Sequence, residues 1–159
     1  MADGCPGCGG GAGNQSCAIA RCSMEQGGVE HCFQCEAYPC ERYEGFFNYD
    51  SFLPCRNVPE DIRRARELGI DALRQEIGEK KAILTELLAG YNDGRRKTFF
   101  CTAVNLLSLK DVRRAWAEVR ERYPLALPEK ERGAGAAEVF RAIAAERGVE
   151  LKLRKKPKK

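Results

Sequence analysis

Residues 71–90, DALRQEIGEKKAILTELLAG, decide the fold class. Leu73, Ile77, Leu84 and Leu88 recur at helical spacing along one face, with Ile83 and Leu87 beside them. Asp71 caps the start, and Gly78 weakens the helix only slightly. The flanking segments read the same way. Pro59, Glu60 and Asp61 open a preceding helix with acids at the positive end of its dipole, and Gly69 stops it. Tyr91 to Gly94 form a turn, and Phe99 to Leu107 form a strongly apolar, buried helix. Ser108 followed by Asp111 resembles a capping box with Asp in the acidic place. It opens an amphipathic helix through Trp116 and Val119 to Arg122. Residues 123–134, with Pro124, Pro128, Gly133 and a charge cluster, read as a linker. Ala136 to Arg147 is a last helix, stopped by Gly148. Val149 to Arg154 alternates apolar and polar residues, as a short C-terminal edge strand does. The class is mainly α.

Upstream of this helical region the chain changes character. Residues 1–57 are rich in Gly, Cys and aromatics, and seven of the nine cysteines lie in the first 40 residues. A short helix is expected from Ala18 to Gln26, ending at Gly27 and Gly28, and another from Cys40 to Phe47, entered through Pro39. The large apolar side chains of the first forty residues are Ile19, Met24, Val29, Phe33 and Tyr38. These cannot offset the entropy of ordering the segment. A structural zinc can, contributing on the order of 10–16 kcal/mol in small modules.

The cysteine spacing supports such a staple. Cys5-Pro-Gly-Cys8 and Cys32-Phe-Gln-Cys35 are CxxC turns in which both sulfurs can reach one tetrahedral ion. Cys17 and Cys22 are separated by ~140° on a continuous helix, so they share an ion only if Cys17 lies at or before the helix start. Cys40 follows Pro39 at a helix N-terminus, where the dipole favours thiolate. The expected metal ligands are Cys5, Cys8, Cys17, Cys22, Cys32, Cys35 and Cys40. Seven sulfurs leave two sites one ligand short, and Cys55 or His31 are the residues that can complete the set. Cys101, on an apolar helix, reads as a small buried hydrophobe. Zinc is the expected metal. Ferredoxin spacings do not occur, and an iron–sulfur cluster on irregular spacing is the alternative.

Charge is unevenly distributed. Residues 1–57 carry seven acids and three bases, and the first lysine of the chain is Lys80. The last nine residues hold six cations: Lys152, Arg154, Lys155, Lys156, Lys158 and Lys159. That end suits phosphate contacts, whereas the cysteine-rich part is anionic. No stretch approaches the roughly 18–20 apolar residues of a membrane span. The start, MADGCPGCGGG, lacks the basic and apolar regions of a secretory signal, so a cytoplasmic protein without a disulfide framework is expected. P-loop, GxGxxG, HExxH and nucleophile-elbow patterns are absent, and the single histidine argues against an open catalytic zinc site.

The run Cys5-x2-Cys8, Cys17-Ala-Ile-Ala-Arg-Cys22, Gly28-Val-Glu-His-Cys32-Phe-Gln-Cys35-Glu-Ala-Tyr-Pro-Cys40-Glu-Arg resembles the domain-of-unknown-function family numbered 3795. The resemblance spans residues 4–50 and matches the family pattern C-x2-C, C-x-I-x-x-C, C-x2-C-x4-C. Residues 92–101 and 148–156 also look like longer members. Many members carry a further cysteine pair in a C-G-L-x-C stretch that has no match here, which leaves one site short where that pair supplies ligands. The resemblance implies zinc binding and no established activity.

The expected architecture is a small cysteine-rich, metal-stapled module over 1–57, packed on a helical region over 58–150, with a basic flexible tail over 151–159. The expected function is a structural zinc-binding protein that serves as a protein-interaction module. The alternatives are an iron–sulfur or dithiol redox protein, and a zinc-stabilised nucleic-acid-binding protein using the basic tail.

Overall fold

A computed structural model describes residues 18–50 and 53–157. The chain divides into two compact units, Met1–Phe46 and Phe47–Lys159. Six α-helices occur among the described residues, with no strand. The mainly α class stands.

In the first unit, α1 spans Ala18–Glu25. Gly28 N–H returns to the Ser23 carbonyl at 2.9 Å and ends it. Two single 3₁₀ turns follow, Cys32–Gln34 and Glu41–Tyr43. The expected helix from Cys40 to Phe47 is replaced by the second of these. Cys40 is extended, and Tyr43, Glu44 and Phe46 bond three residues back to Cys40, Glu41 and Tyr43. Gly45, at φ 67, then turns the chain out of any helical path. Among residues 18–46 no residue is buried as a whole.

The second unit contains α2 (Val58–Leu68), α3 (Ile70–Gly90), α4 (Lys97–Leu106), α5 (Leu109–Arg122) and α6 (Glu129–Glu146). Helix α3 packs on α2, α4 and α5, while α6 packs on α4 and α5. Gly69, at φ 88, separates α2 from α3 in a conformation that favours glycine. Arg64 of α2 makes a two-toothed pair with Glu76 of α3. The core gathers Leu87, Phe100, Leu107, Val112, Val119, Phe140 and Ile143. Phe100 and Phe140 meet edge to face at 6.1 Å, and each stabilises by roughly 1.5–3 kcal/mol through burial. The buried stripe of α3 is Ile83 and Leu87, with Leu84 and Leu88 at its margin, whereas Ile77 is 52% exposed.

Helix α5 starts as the capping pattern foretold: Ser108 Oγ accepts from Asp111 N–H at 3.1 Å. The Asp111 carboxylate turns elsewhere, accepting from the Ser108 hydroxyl at 2.7 Å and from Arg147 Nε and Nη2 at 3.0 and 2.8 Å. Burial by itself would raise its pKa. The Arg147 guanidinium and Ser108 hydroxyl outweigh that and hold it below the usual carboxylate value.

Two expectations about the C-terminal part are corrected. Residues 129–134 are not linker, because α6 begins at Glu129. Gly133 and Gly135 face inward on that helix. A Cβ on Gly133 would stand 2.6 Å from the Tyr91 carbonyl oxygen, and one on Gly135 would enter the Tyr123 ring. These glycines permit close helix packing. The strand expected over Val149 to Arg154 is also absent, and no strand among the described residues is there to pair with it. Gly148 and Val149 close α6 through bonds to Ala145 and Ala144 carbonyls, and Val149 and Leu151 pack against the core. Arg56 donates to the Glu150 and Lys152 carbonyls. Asp50 N–H donates to the Arg154 carbonyl at 2.8 Å, and Arg154 N–H to Asp50 Oδ2 at 2.8 Å. Side chains, with one backbone pair, thus satisfy the polar groups that a sheet would otherwise satisfy.

Candidate metal centre

Of the seven cysteines expected to bind metal, Cys5, Cys8 and Cys17 lie outside the described residues. The other four are placed by separate short elements. Cys22 lies on α1, Cys32 opens the first 3₁₀ turn, Cys35 is its C-cap, and Cys40 is the N-cap of the second. Cys35 N–H closes the Cys32-Phe-Gln-Cys35 turn on the Cys32 carbonyl at 3.1 Å. All four are partly buried and none forms a disulfide.

These four cysteines line one small cavity of about 30 Å³, together with Ile19, Val29, Tyr38 and Tyr43. Four soft sulfur donors around an apolar wall suit zinc or an iron–sulfur cluster. Among the described residues, however, no three Cys, His, Asp or Glu side chains are grouped closely enough to hold an ion as they stand. The donor types suit a soft metal ion, while in this structure they are not grouped as an ion site.

In sequence, Tyr38 reads as apolar bulk two residues before Cys40 and Tyr43 lies three residues after it, and neither spacing marks a site. Burial raises the Tyr38 pKa first, and the neighbouring Cys32 and Cys40 sulfurs add to it. Burial also raises that of Tyr43, joined by the influence of the neighbouring Cys32 side chain.

Neither residue offered to complete a second site lines this cavity. The His31 ring stacks on Phe33 at 5.4 Å, and its Nε2 stands 3.6 Å from Glu30 Oε1. Cys55 belongs to the second unit. Its thiol donates to the Tyr49 carbonyl at 3.1 Å and lies 3.5 Å from Asp50 Oδ1. Burial, then Asp50, pushes that thiol pKa up. Cys101 on α4 is partly buried, and burial raises its pKa as well.

The basic end is partly engaged within its own unit. Arg154 Nη2 donates to the Phe47 carbonyl at 2.5 Å and stands 3.7 Å from Asp50 Oδ1. Lys158 and Lys159 lie outside the described residues. No helix among the described residues is long and apolar enough to cross a membrane.

Residues 1–45 match the model of the family described as Protein of unknown function (DUF3795), the family that the cysteine spacing resembles. The match covers the cysteine-rich segment and not the helical unit. No curated protein and no solved structure matches the chain.

Proposed function

We propose that residues 1–46 form a zinc-binding module in which Cys22, Cys32, Cys35 and Cys40 hold one ion, with Cys5, Cys8 and Cys17 donating to a second. The observation that carries this reading is four thiols around one cavity, in a unit where none of residues 18–46 is buried as a whole. Such a unit has little hydrophobic stabilisation of its own, and metal ligation is the interaction its residues can supply. When bound, zinc holds shape and supplies no redox step. The role we assign is structural, in the cytoplasm where thiols stay reduced: the metal fixes a surface that docks a protein partner. Met24 and Phe46, 70% and 45% exposed, are the apolar side chains that such a partner would cover.

Metal analysis of the anaerobically purified full chain, with its visible spectrum, tests the reading. Zinc without visible colour is the expected result. A brown protein with visible absorption assigns an iron–sulfur cluster instead and moves the function to electron transfer. A folded protein free of metal overturns the proposal.

A further inference from the structure

In the second unit, Glu86, Tyr91, Trp116, Arg120, Leu125 and Arg132 line a cavity of about 670 Å³, the size of a small-molecule site. Tyr91 and Trp116 form one wall, edge to face at 5.6 Å. They are 2% and 8% exposed and belong to the core, so this wall holds its shape. The Tyr91 hydroxyl is already used on the Tyr123 carbonyl, whereas the Trp116 indole N–H has no acceptor among the described residues. Two cations meet at this wall. Arg120 lies over the Trp116 ring, its Cζ 5.4 Å from the centroid. The other arginines of α5 are matched, Arg113 with Glu79, Arg114 with Glu146 and Arg122 with Glu118, but Arg120 makes no ion pair or hydrogen bond among the described residues. Arg132 is fixed by backbone. Its Nε donates to the Gly90 carbonyl, and its Nη1 to the Leu127 and Leu125 carbonyls at 2.7 and 3.4 Å. Carbonyls take these hydrogen bonds and leave the charge unmatched. Glu86 is the one carboxylate lining the cavity, and it is paired with neither arginine.

We propose that this cavity binds a small organic carboxylate, its acid group recognised by Arg120 and Arg132 and its apolar body lying against Trp116 and Leu125. Two positive charges face one negative charge, so a monoanion completes the balance. A guanidinium presents its donors in a planar fork that matches a carboxylate, and a partly apolar surrounding strengthens the pair. The cavity lies wholly within the second unit, so the inference is independent of the zinc reading.

Trp116 is the only tryptophan of the chain, so its fluorescence reports occupancy of this cavity. The full chain is titrated with phenylbutyrate, with neutral phenylbutyramide of nearly the same shape, with acetate and with phenyl phosphate. Phenylbutyrate is expected to change the Trp116 emission saturably at millimolar concentrations or below. The amide, which lacks the charge, and acetate, which lacks the apolar body, should bind about tenfold more weakly or worse. Arg120→Gln should weaken phenylbutyrate about tenfold, and Glu86→Gln should tighten it. Both side chains belong to exposed residues, so neither change disturbs the core. The comparison of acid with amide on the wild-type chain decides the point if a variant folds poorly. No saturable response to phenylbutyrate overturns the proposal, as does equal binding of the amide or an unchanged affinity in Arg120→Gln. Tighter binding of phenyl phosphate than of phenylbutyrate overturns the assignment to a carboxylate.

Discussion

Two helix glycines, Gly133 and Gly78, should respond in opposite ways to an added side chain. Gly133 on α6 lies against backbone, and the Cβ of an alanine there would stand 2.6 Å from the Tyr91 carbonyl oxygen. Tyr91 is 2% exposed and bonds the Tyr123 carbonyl through its hydroxyl at 3.0 Å, so its backbone has little room to retreat. Gly133→Ala should therefore destabilise by about 1–3 kcal/mol, overpacking outweighing the gain in helix propensity. Gly78 on α3 meets nothing within 4 Å. Gly78→Ala should stabilise by up to about 1 kcal/mol. Urea unfolding followed by circular dichroism separates the two, with midpoints moving in opposite directions and slopes unchanged. Movement of both midpoints the same way would contradict the packing account.

Among the elements, the α5 start shows how a cap becomes a tertiary contact. Asp111 is 6% exposed and binds both the Ser108 hydroxyl and the Arg147 guanidinium. Its folded pKa is lowered, so its contribution is complete above the unfolded carboxyl value of about 3.9 and disappears as pH falls through the lower folded value. Asp111→Asn should be less stable than wild type at neutral pH, and the gap should narrow on acidification below about pH 4. Thermal melts across that range measure it, and a gap independent of pH would remove Asp111 from the acid response. The Ser108 and Asp111 spacing was legible because a cap is a local event. So were the glycine stops at Gly69 and Gly148, and the turn after Tyr91. What sequence could not reveal depends on distant partners. Gly133 signals a linker until Tyr91 is known to press against it. Val149 to Arg154 signals a strand until Arg56 and Asp50 are known to take up its backbone. Ile77 sits on the apolar stripe of α3, yet no helix packs over it closely enough to bury it. The Cys32–Cys35 turn was legible from spacing, but the tyrosines that wall the cavity were not, since only the folded turns bring Tyr38 and Tyr43 beside Cys22, Cys32, Cys35 and Cys40.

For the whole molecule, the two units draw on different sources of stability. The second is held by a hydrophobic core and by Asp50, whose side chain is fully buried and accepts from Arg56 at 3.0 Å and from Arg154 N–H at 2.8 Å. Burial acts to raise the Asp50 pKa, while backbone donors from Arg154 and Cys55 lower it overall. Asp50→Ala would leave Arg56 without its carboxylate and the Arg154 and Cys55 N–H groups without their acceptor, and should cost about 1–3 kcal/mol. Hydrogen exchange should then accelerate at the amide of Arg154, with α3 to α5 less affected. Uniform loss of protection would mean that Asp50 supports the whole unit and not this clamp. The first unit has no such core among its described residues, and the proposed metal supplies the missing stabilisation. Removing metal with a chelator under reducing conditions should therefore abolish hydrogen-exchange protection over 18–46 and leave the amides of α3 to α6 protected. Most of the helical circular dichroism should survive, because five of the six described α-helices belong to the second unit. Restoring zinc should recover protection over 18–46, whereas a chelator that changes neither unit would show that the thiols fold without an ion.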